Sequence, residues 1–326
     1  LTRLRDHDID CIIGHDPRNV EGASYLVISS AVKAGNPEYE AAQERGIPII
    51  RRAEMLAELM RPCTTVSVTG THGKTTTTSL VADLLYGGGL DPTVITGGII
   101  NAWGTNARIG QGEWMVVEAD ESDGTFLKLP TQIGVITNLD PEHMDFWESE
   151  EVLYQAFEQF IEAIPFYGVV VACIDHSVVR GLIAALGGAE NGRRILTYGV
   201  SRSADVRLFN VRPDHATMTF NVRLGSGVAG GAREINDLIL PALGHYNALN
   251  AIAALAVATE AGVSDDLIRT VLANFSGVKR RFTRIGEWQG VAIYDDYAHH
   301  PVEIAAVLRG ANAAGKGRIV AVMQPH

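Results

Sequence analysis

Cysteine is scarce in this chain. Cys11, Cys63 and Cys173 are odd in number and far apart, which fits neither a disulfide framework nor a CxxC metal site and points to a reducing cytoplasm. Long apolar runs are missing too. Even the apolar stretch from Ala251 to Val263 is broken by Thr259 and Glu260, well short of the ~18 apolar residues that a membrane span needs, so membrane insertion is excluded. Basic residues are outnumbered, with 27 Lys and Arg against 38 Asp and Glu for a formal charge of −11, which disfavours attraction to a nucleic-acid backbone. Internal repeats and low-complexity tracts are absent. The chain opens at Leu1 without an initiator Met or an apolar signal core, and it stops at His326 just after the strand-like run Arg318 to Met323. It therefore reads as a fragment of a longer protein. What remains is 326 residues, 46% hydrophobic and 20% charged, the balance of a globular protein of two or three domains.

The pattern is α/β. Residues 1 to 62 alternate strand-like runs at Cys11 to Ile13, Tyr25 to Ile28 and Pro48 to Ile50 with a helix at Pro37 to Arg45, which predicts βαβ units and a parallel sheet. Further strands are expected at Thr64 to Thr69, Pro92 to Thr96, Trp114 to Glu118, Ile133 to Thr137 and Val169 to Cys173, and helices at Thr75 to Tyr86, Glu150 to Ile164 and Val178 to Leu186. Residues Ala204 to Leu240 alternate polar and apolar with turn signals, the mark of an antiparallel appendage. Two Ala-rich helices follow, His245 to Ala261 and Ser264 to Phe275. Beyond Gly277, strands at Ile285 to Trp288 and Val291 to Tyr294 lead to a helix opening at Pro301, where the ring suits the first helical position. Domain boundaries are expected near 62 and 278.

Thr69-Gly70-Thr71-His72-Gly73-Lys74-Thr75-Thr76 lies between a strand and a helix. There the glycines can turn the chain so that backbone N–H groups and the helix N-terminus face a polyphosphate. Lys74 would neutralise phosphate oxygens and the Thr75 hydroxyl would ligate Mg²⁺. Val68 stands where the strict Walker pattern has glycine, so context carries the assignment against a plain Gly-rich turn. Lys74 is expected to serve ATP charge rather than core packing. Glu118, Asp120, Glu121 and Asp123 follow the next buried strand, and one or two of them suit a hard cation. His143, in Asn138-Leu-Asp-Pro-Glu-His-Met-Asp145, could reach a second metal or the γ-phosphate, or be a hydrogen-bonded loop residue. Asn247 and Asn250 share one helix face, where a buried amide needs a partner such as a purine edge; capping or surface amides are the alternative.

Together with Asn247 to Asn250, Arg280-Arg281-Phe282 and Asp295-Asp296-Tyr-Ala-His-His-Pro301, these motifs resemble the Mur ligases of peptidoglycan synthesis, over the full chain and in the same order. The resemblance implies a three-domain architecture: the remainder of a Rossmann-like UDP-binding domain at 1–62, a central P-loop ATPase domain at 63–278 and the start of a Rossmann-like C-terminal domain at 279–326. It implies ATP and Mg²⁺ as cofactors. Segments Glu118 to Phe126 and Asp295 to Pro301 are most similar to the member whose substrates are UDP-N-acetylmuramate and L-alanine. The related enzymes that add a tripeptide, folylpolyglutamate synthetases, and a switch that hydrolyses ATP without making a bond are the rivals. By the same resemblance Gly70 to Thr76 bind ATP, with Lys74, His143 and Arg281 catalytic. Thr75, Glu118 and His143 hold metal; Asn247 and Asn250 meet adenine, Arg281 the phosphates and Asp296 the ribose, an N-cap role being the rival for Asp296. His15, Ser29, Ser30, Asn106, His299 and His300 contact the other substrates. The family's opening Gly-rich loop and the arginines that follow Gln324-Pro325-His326 lie outside the chain, so this fragment is expected to bind ATP without completing ligation. Ala298 replaces a glycine usual before the two histidines. With no lysine between Lys128 and Lys279, the carbamylated lysine of some relatives has no counterpart.

Overall fold

The computed structural model describes residues 2–6, 8–29, 31–187, 192–214, 217–314 and 317–323. The chain divides into two compact units, Leu1–Arg61 and Pro62–His326. In the first, α1 (Thr2–Arg5), β1 (Leu26–Ile28), α2 (Pro37–Glu44), β2 (Ile49–Arg51) and α3 (Arg52–Met60) follow in order. β1 and β2 pair in parallel across α2. Asn36 starts α2 by accepting the Tyr39 amide, with Pro37 in the first turn, because proline has no N–H to leave unpaired there. The strand expected at Cys11 to Ile13 does not form. Ile12 and Ile13 are exposed, and among the described residues this three-residue apolar run joins no ladder.

The second unit carries β3 (Thr64–Thr69), α4 (Lys74–Gly87), β4 (Thr93–Ile100), β5 (Thr105–Arg108), β6 (Trp114–Glu118), β7 (Ile133–Ile136), α5 (Met144–Trp147), α6 (Glu150–Ala163), β8 (Val169–Cys173), α7 (Ser177–Ala185) and β9 (Arg194–Gly199). Then come β10 (Val206–Asp214), β11 (Thr217–Leu224), β12 (Arg233–Leu240), α8 (His245–Glu260), α9 (Asp265–Ala273), β13 (Thr283–Trp288), β14 (Val291–Asp295) and α10 (Pro301–Ala314). Ten strands form one sheet in the order β12-β11-β10-β9-β8-β7-β3-β6-β4-β5. The antiparallel strands expected at 204–240 form at the sheet's edge: β10 pairs in parallel with β9 and then turns into β11 and β12, so hairpins extend the parallel sheet. Arg318 to Met323 forms no strand. Its side chains are exposed, Val322 almost wholly, and among the described residues it joins no ladder.

The centre of the sheet reads as it packs. Every residue of β7 and β8 is buried, as expected of strands covered on both faces. α8 is apolar nearly all round and buried from Ala251 to Thr259, the mark of an interior helix. α6 and α9 are amphipathic surface helices, capped by Ser149 and Ser264 accepting the Val152 and Leu267 amides, with acids in each first turn. β3 sits between β6 and β7, where the strand order reverses, and α/β sheets hold ligands at the carboxyl ends of such strands.

Asp83, on α4, is a carboxyl that this packing strains. Burial pushes its carboxyl from 3.8 to about 7. The folded chain therefore holds that proton more tightly than the unfolded chain, so the contribution is full below about pH 4 and is lost as the pH rises through about 7. Asp83→Asn is expected to remove this loss and raise stability at pH 8 by a few kcal/mol, since each tenfold gain in proton affinity on folding corresponds to ~1.4 kcal/mol, with little change at pH 4. Urea midpoints at the two pH values test it; equal gains at both would show that Asp83 is not the titrating group.

Candidate functional site

The phosphate loop turns at Gly70 and Gly73, with φ of +119° and +84°. Space also requires glycine: a Cβ on Gly70 would lie 2.7 Å from the Asn138 carbonyl oxygen, and one on Gly73 would lie 2.7 Å from Asn250 Oδ1. The loop is clamped to the end of β7. Asn138 Oδ1 accepts the His72 amide at 2.7 Å, while Thr137 Oγ1 and Asn138 Nδ2 donate to the His72 carbonyl at 2.7 and 2.9 Å. The Thr71 hydroxyl accepts the Asp140 amide and donates to its carbonyl. Neither Thr137, Asn138 nor Asp140 stands out in the sequence as a loop partner; the only signal is their place directly after a strand.

α4 starts at Lys74 and aims its first amides out of this loop. Lys74 Nζ donates to both oxygens of Glu121, at 2.9 and 2.8 Å, and to the Thr71 carbonyl. Glu121 is 2% exposed. Burial pushes its carboxyl up, and the Lys74 charge opposes this only in part. Lys74 is therefore half of a buried ion pair, which corrects the expectation that it matters to nucleotide charge alone. Glu118 lies across the ladder from Val68. Its Oε1 accepts the Thr75 hydroxyl at 2.9 Å, and its Oε2 accepts the Thr96 hydroxyl and Gly97 amide at 2.7 and 2.6 Å. The four acids thus separate: Glu118 serves Thr75, Glu121 serves Lys74, and exposed Asp120 and Asp123 accept the local amides of Ser122 and Thr125. His143, left-handed at the start of α5, joins Asp120 and Glu121 in a set whose donor atoms lie within 4.8 Å of one another.

A cavity of about 270 Å³ opens beside the loop, lined by His72, Asn247, Asn250, Arg281, Asp296 and Glu303 among others. Asn247 Nδ2 donates to the Leu243 carbonyl at 2.7 Å, and Asn250 Nδ2 reaches Asn247 Oδ1 at 3.5 Å. Both amides are buried, and this internal pairing leaves Asn250 Oδ1 pointing at the loop. Arg281 Nη2 lies 3.4 Å from the Thr75 hydroxyl, and its guanidinium stands over the Tyr297 ring. Both Asp296 oxygens are occupied, by the Phe282 and Ala298 amides at 2.7 Å each. Phe282 and Arg280 hold positive φ, so Asp296 fixes a strained turn between α9 and β13. Burial pushes the Asp296 carboxyl up. Burial also pushes the Tyr246 hydroxyl up in the same cavity, helped by the Asp296 charge; no motif singles Tyr246 out.

Of the remaining candidates, His300 packs its ring against His72, centroids 5.1 Å apart, whereas His299 is exposed and turns back to the Tyr297 carbonyl. Asn106 is exposed on β5. In the first unit His15 Nδ1 pairs with Glu38 Oε2 at 2.6 Å, and Ser29 is exposed just after β1. Ser30 lies outside the described residues.

Known proteins share both the sequence and the fold. The family model for the Mur ligase middle domain matches residues 68–258, that for the Mur ligase family catalytic domain matches 1–63, and that for the Mur ligase glutamate ligase domain matches 280–326. The UDP-N-acetylmuramate–L-alanine ligases of Rhodopseudomonas palustris (strain BisB18) and Methylorubrum populi are each 57% identical to this chain over 326 residues, covering 100% of it and 69% of the relative. The crystal structure of the UDP-N-acetylmuramate–alanine ligase of Thermotoga maritima superposes with a TM-score of 0.78 at 27% identity, covering 96% of this chain and 69% of that one. A murein peptide ligase of Psychrobacter arcticus shares the fold at a TM-score of 0.75 and 23% identity, covering 95% of this chain and 68% of that one. Among the described residues no helix is long and apolar enough to cross a membrane.

Proposed function

The chain belongs to the Mur ligase family, and we propose that its site activates the lactyl carboxylate of UDP-N-acetylmuramate with ATP and joins it to L-alanine. The ligase is ATP-dependent and acts in peptidoglycan precursor synthesis. One observation carries the site assignment: the phosphate loop, Lys74, Thr75–Glu118 and the Asn250–Arg281 cavity converge at the end of one strand, β3.

A carboxylate is a poor electrophile, so the reaction first makes a leaving group. The lactyl carboxylate oxygen attacks the γ-phosphorus, the bond to the β-phosphate oxygen breaks, and ADP leaves with that electron pair. The alanine amine then adds to the acyl-phosphate carbon, loses a proton, and the tetrahedral intermediate expels phosphate. The protein contributes mainly position and charge. In this reading Lys74 leaves Glu121 for the β- and γ-phosphates, the α4 amides cradle the same oxygens, and Arg281, already against Thr75, supplies a second cation. Asn250 presents its carbonyl oxygen to the exocyclic amine of adenine. His143 would serve a second metal, and His300 would help place the amino acid. Asp296 keeps the Arg281 turn in place, and its bonds to two amides make that a better reading of its present position than direct contact with ribose.

The donor set fits Mg²⁺. Thr75 and Glu118 supply hard oxygens side by side, and Asp120, Glu121 and His143 form a second set; the ion would neutralise phosphate charge. ATP and a sugar nucleotide put the reaction in the cytoplasm. Residues 1–62 are assigned to the sugar nucleotide, 63–278 to ATP and 279–326 to the incoming amino acid.

The test is phosphate release from ATP by the full-length ligase that carries this chain, with each substrate omitted in turn. Release that requires both UDP-N-acetylmuramate and L-alanine is the expected result. Release with a tripeptide in place of alanine would assign the chain to the peptide-adding relatives, and release with neither would mark an uncoupled ATPase.

A further inference from the structure

The phosphate loop, the segment after β7 and the turn before α10 bring together a second set of metal-ligating side chains. His72, Glu142 and His300 each offer a donor atom, these atoms lie within 4.8 Å of one another, and all three residues are half-buried. The set shares no residue with Asp120, Glu121 and His143.

His72 is its best-prepared member. Its Nδ1 lies 3.2 Å from Glu303 Oε1. With Glu303 as the acceptor for an Nδ1 proton, Nε2 is the nitrogen left to bind a metal. Nε2 is buried and has no hydrogen-bond partner, yet it faces Asp140 Oδ2 at 3.4 Å. A bare lone pair against a carboxylate is repulsive unless a proton or a metal cation lies close by. A carboxylate behind one ring nitrogen, with the other left open, is how proteins orient histidine for a metal. Among the described residues, His300 Nδ1 receives a long 3.4 Å contact from the Val302 amide, weak enough for the ring to turn and present either nitrogen.

The geometry points to a transition-metal site in which His72 Nε2, His300 and Glu142 bind one borderline divalent ion such as Zn²⁺ or Co²⁺. Two imidazoles and one carboxylate suit that class and not Mg²⁺, which prefers oxygen donors. Zn–N bonds of about 2.0–2.1 Å require the donors to draw together by roughly 1–1.5 Å, which side-chain rotation in two loops allows. A bound ion would tie the phosphate loop to the start of α10, in addition to the His72–Glu303 contact.

The experiment titrates the whole, metal-free protein with Co²⁺ in saturating Mg²⁺, without nucleotide, so that its outcome is independent of ligase turnover. One equivalent of Co²⁺ with visible d–d bands is expected, displaced by Zn²⁺. His300→Ala and Glu142→Gln should each weaken binding at least tenfold, His300→Cys should keep binding with a thiolate charge-transfer band, and Asp120→Asn, in the other donor set, should leave the Co²⁺ affinity of this one unchanged. Circular dichroism confirms that the variants fold. Absence of Co²⁺ binding in excess Mg²⁺ would overturn the site. Binding that survives both His300→Ala and Glu142→Gln, or that is lost in Asp120→Asn, would also overturn it.

Discussion

Lys74→Ala, made in the full-length ligase, is expected to lower alanine-dependent phosphate release by about a thousandfold or more, the scale on which a cation at a transferring phosphoryl group acts. It is also expected to destabilise the fold. The substitution leaves Glu121, 2% exposed, without the ammonium that holds both its oxygens, and breaking a buried pair from one side costs about 3–5 kcal/mol. Without Lys74, burial raises the Glu121 carboxyl further above its ordinary 4.5. The folded variant then binds that proton more tightly than the unfolded chain, so its deficit shrinks as the pH falls from neutrality toward 5 and grows as the pH rises. Adding Glu121→Gln removes the stranded charge. The double variant Lys74→Met, Glu121→Gln should recover most of the unfolding midpoint while its turnover stays lost. Denaturant midpoints at pH 5 and 8, with phosphate-release rates for both variants, separate the two roles. More than about a tenth of wild-type turnover in Lys74→Ala, a loss under ~1.4 kcal/mol, would deny Lys74 its phosphoryl role. A wild-type midpoint would deny the ion pair its structural one.

Strands, helices and the phosphate loop are legible in the sequence where local chemistry decides them. Thr64 to Thr69, Trp114 to Glu118 and Val169 to Cys173 coincide with β3, β6 and β8, because β-branched runs between turn signals have few other uses in an α/β chain. The runs at Cys11 to Ile13 and Arg318 to Met323 are also apolar, but among the described residues they join no neighbouring strand, and composition does not report a neighbour. Alternation marks residues 204–240 as antiparallel, yet their attachment to β9 is a long-range pairing that alternation does not encode. At the site, motif order identifies the residues but not their partners. That Glu121 and not Glu118 takes Lys74, and that His72 reaches Glu303 more than two hundred residues on, are consequences of tertiary packing. Asn138 and Thr137 hold the loop through its backbone, a role that leaves no mark on a sequence beyond two polar residues after a strand.

Glu118→Gln is expected to weaken ATP binding in Mg²⁺ at least tenfold, to the affinity measured without Mg²⁺, while moving the unfolding midpoint little. Glu118 accepts three donors, and glutamine has one oxygen for them. The Gly97 amide cannot rotate, so the glutamine oxygen should stay with Gly97 and Thr96, at the 2.6 and 2.7 Å contacts now made by Oε2. The new NH₂ then faces Thr75, whose hydroxyl can turn to accept where it now donates. That exchange keeps every buried group paired, which is why stability should hold to within about 1 kcal/mol. It removes both features a hard cation needs here: the carboxylate charge is gone, and a Thr75 lone pair is engaged by the amide. Asp120→Asn supplies the contrast, because Asp120 is exposed, accepts hydrogen bonds from Ser122 and stands 4.0 Å from Lys74 Nζ. ATP titrations of both variants with and without Mg²⁺ decide the assignment. Metal dependence kept in Glu118→Gln and lost in Asp120→Asn would shift the Mg²⁺ from the Thr75–Glu118 pair to the set built on His143.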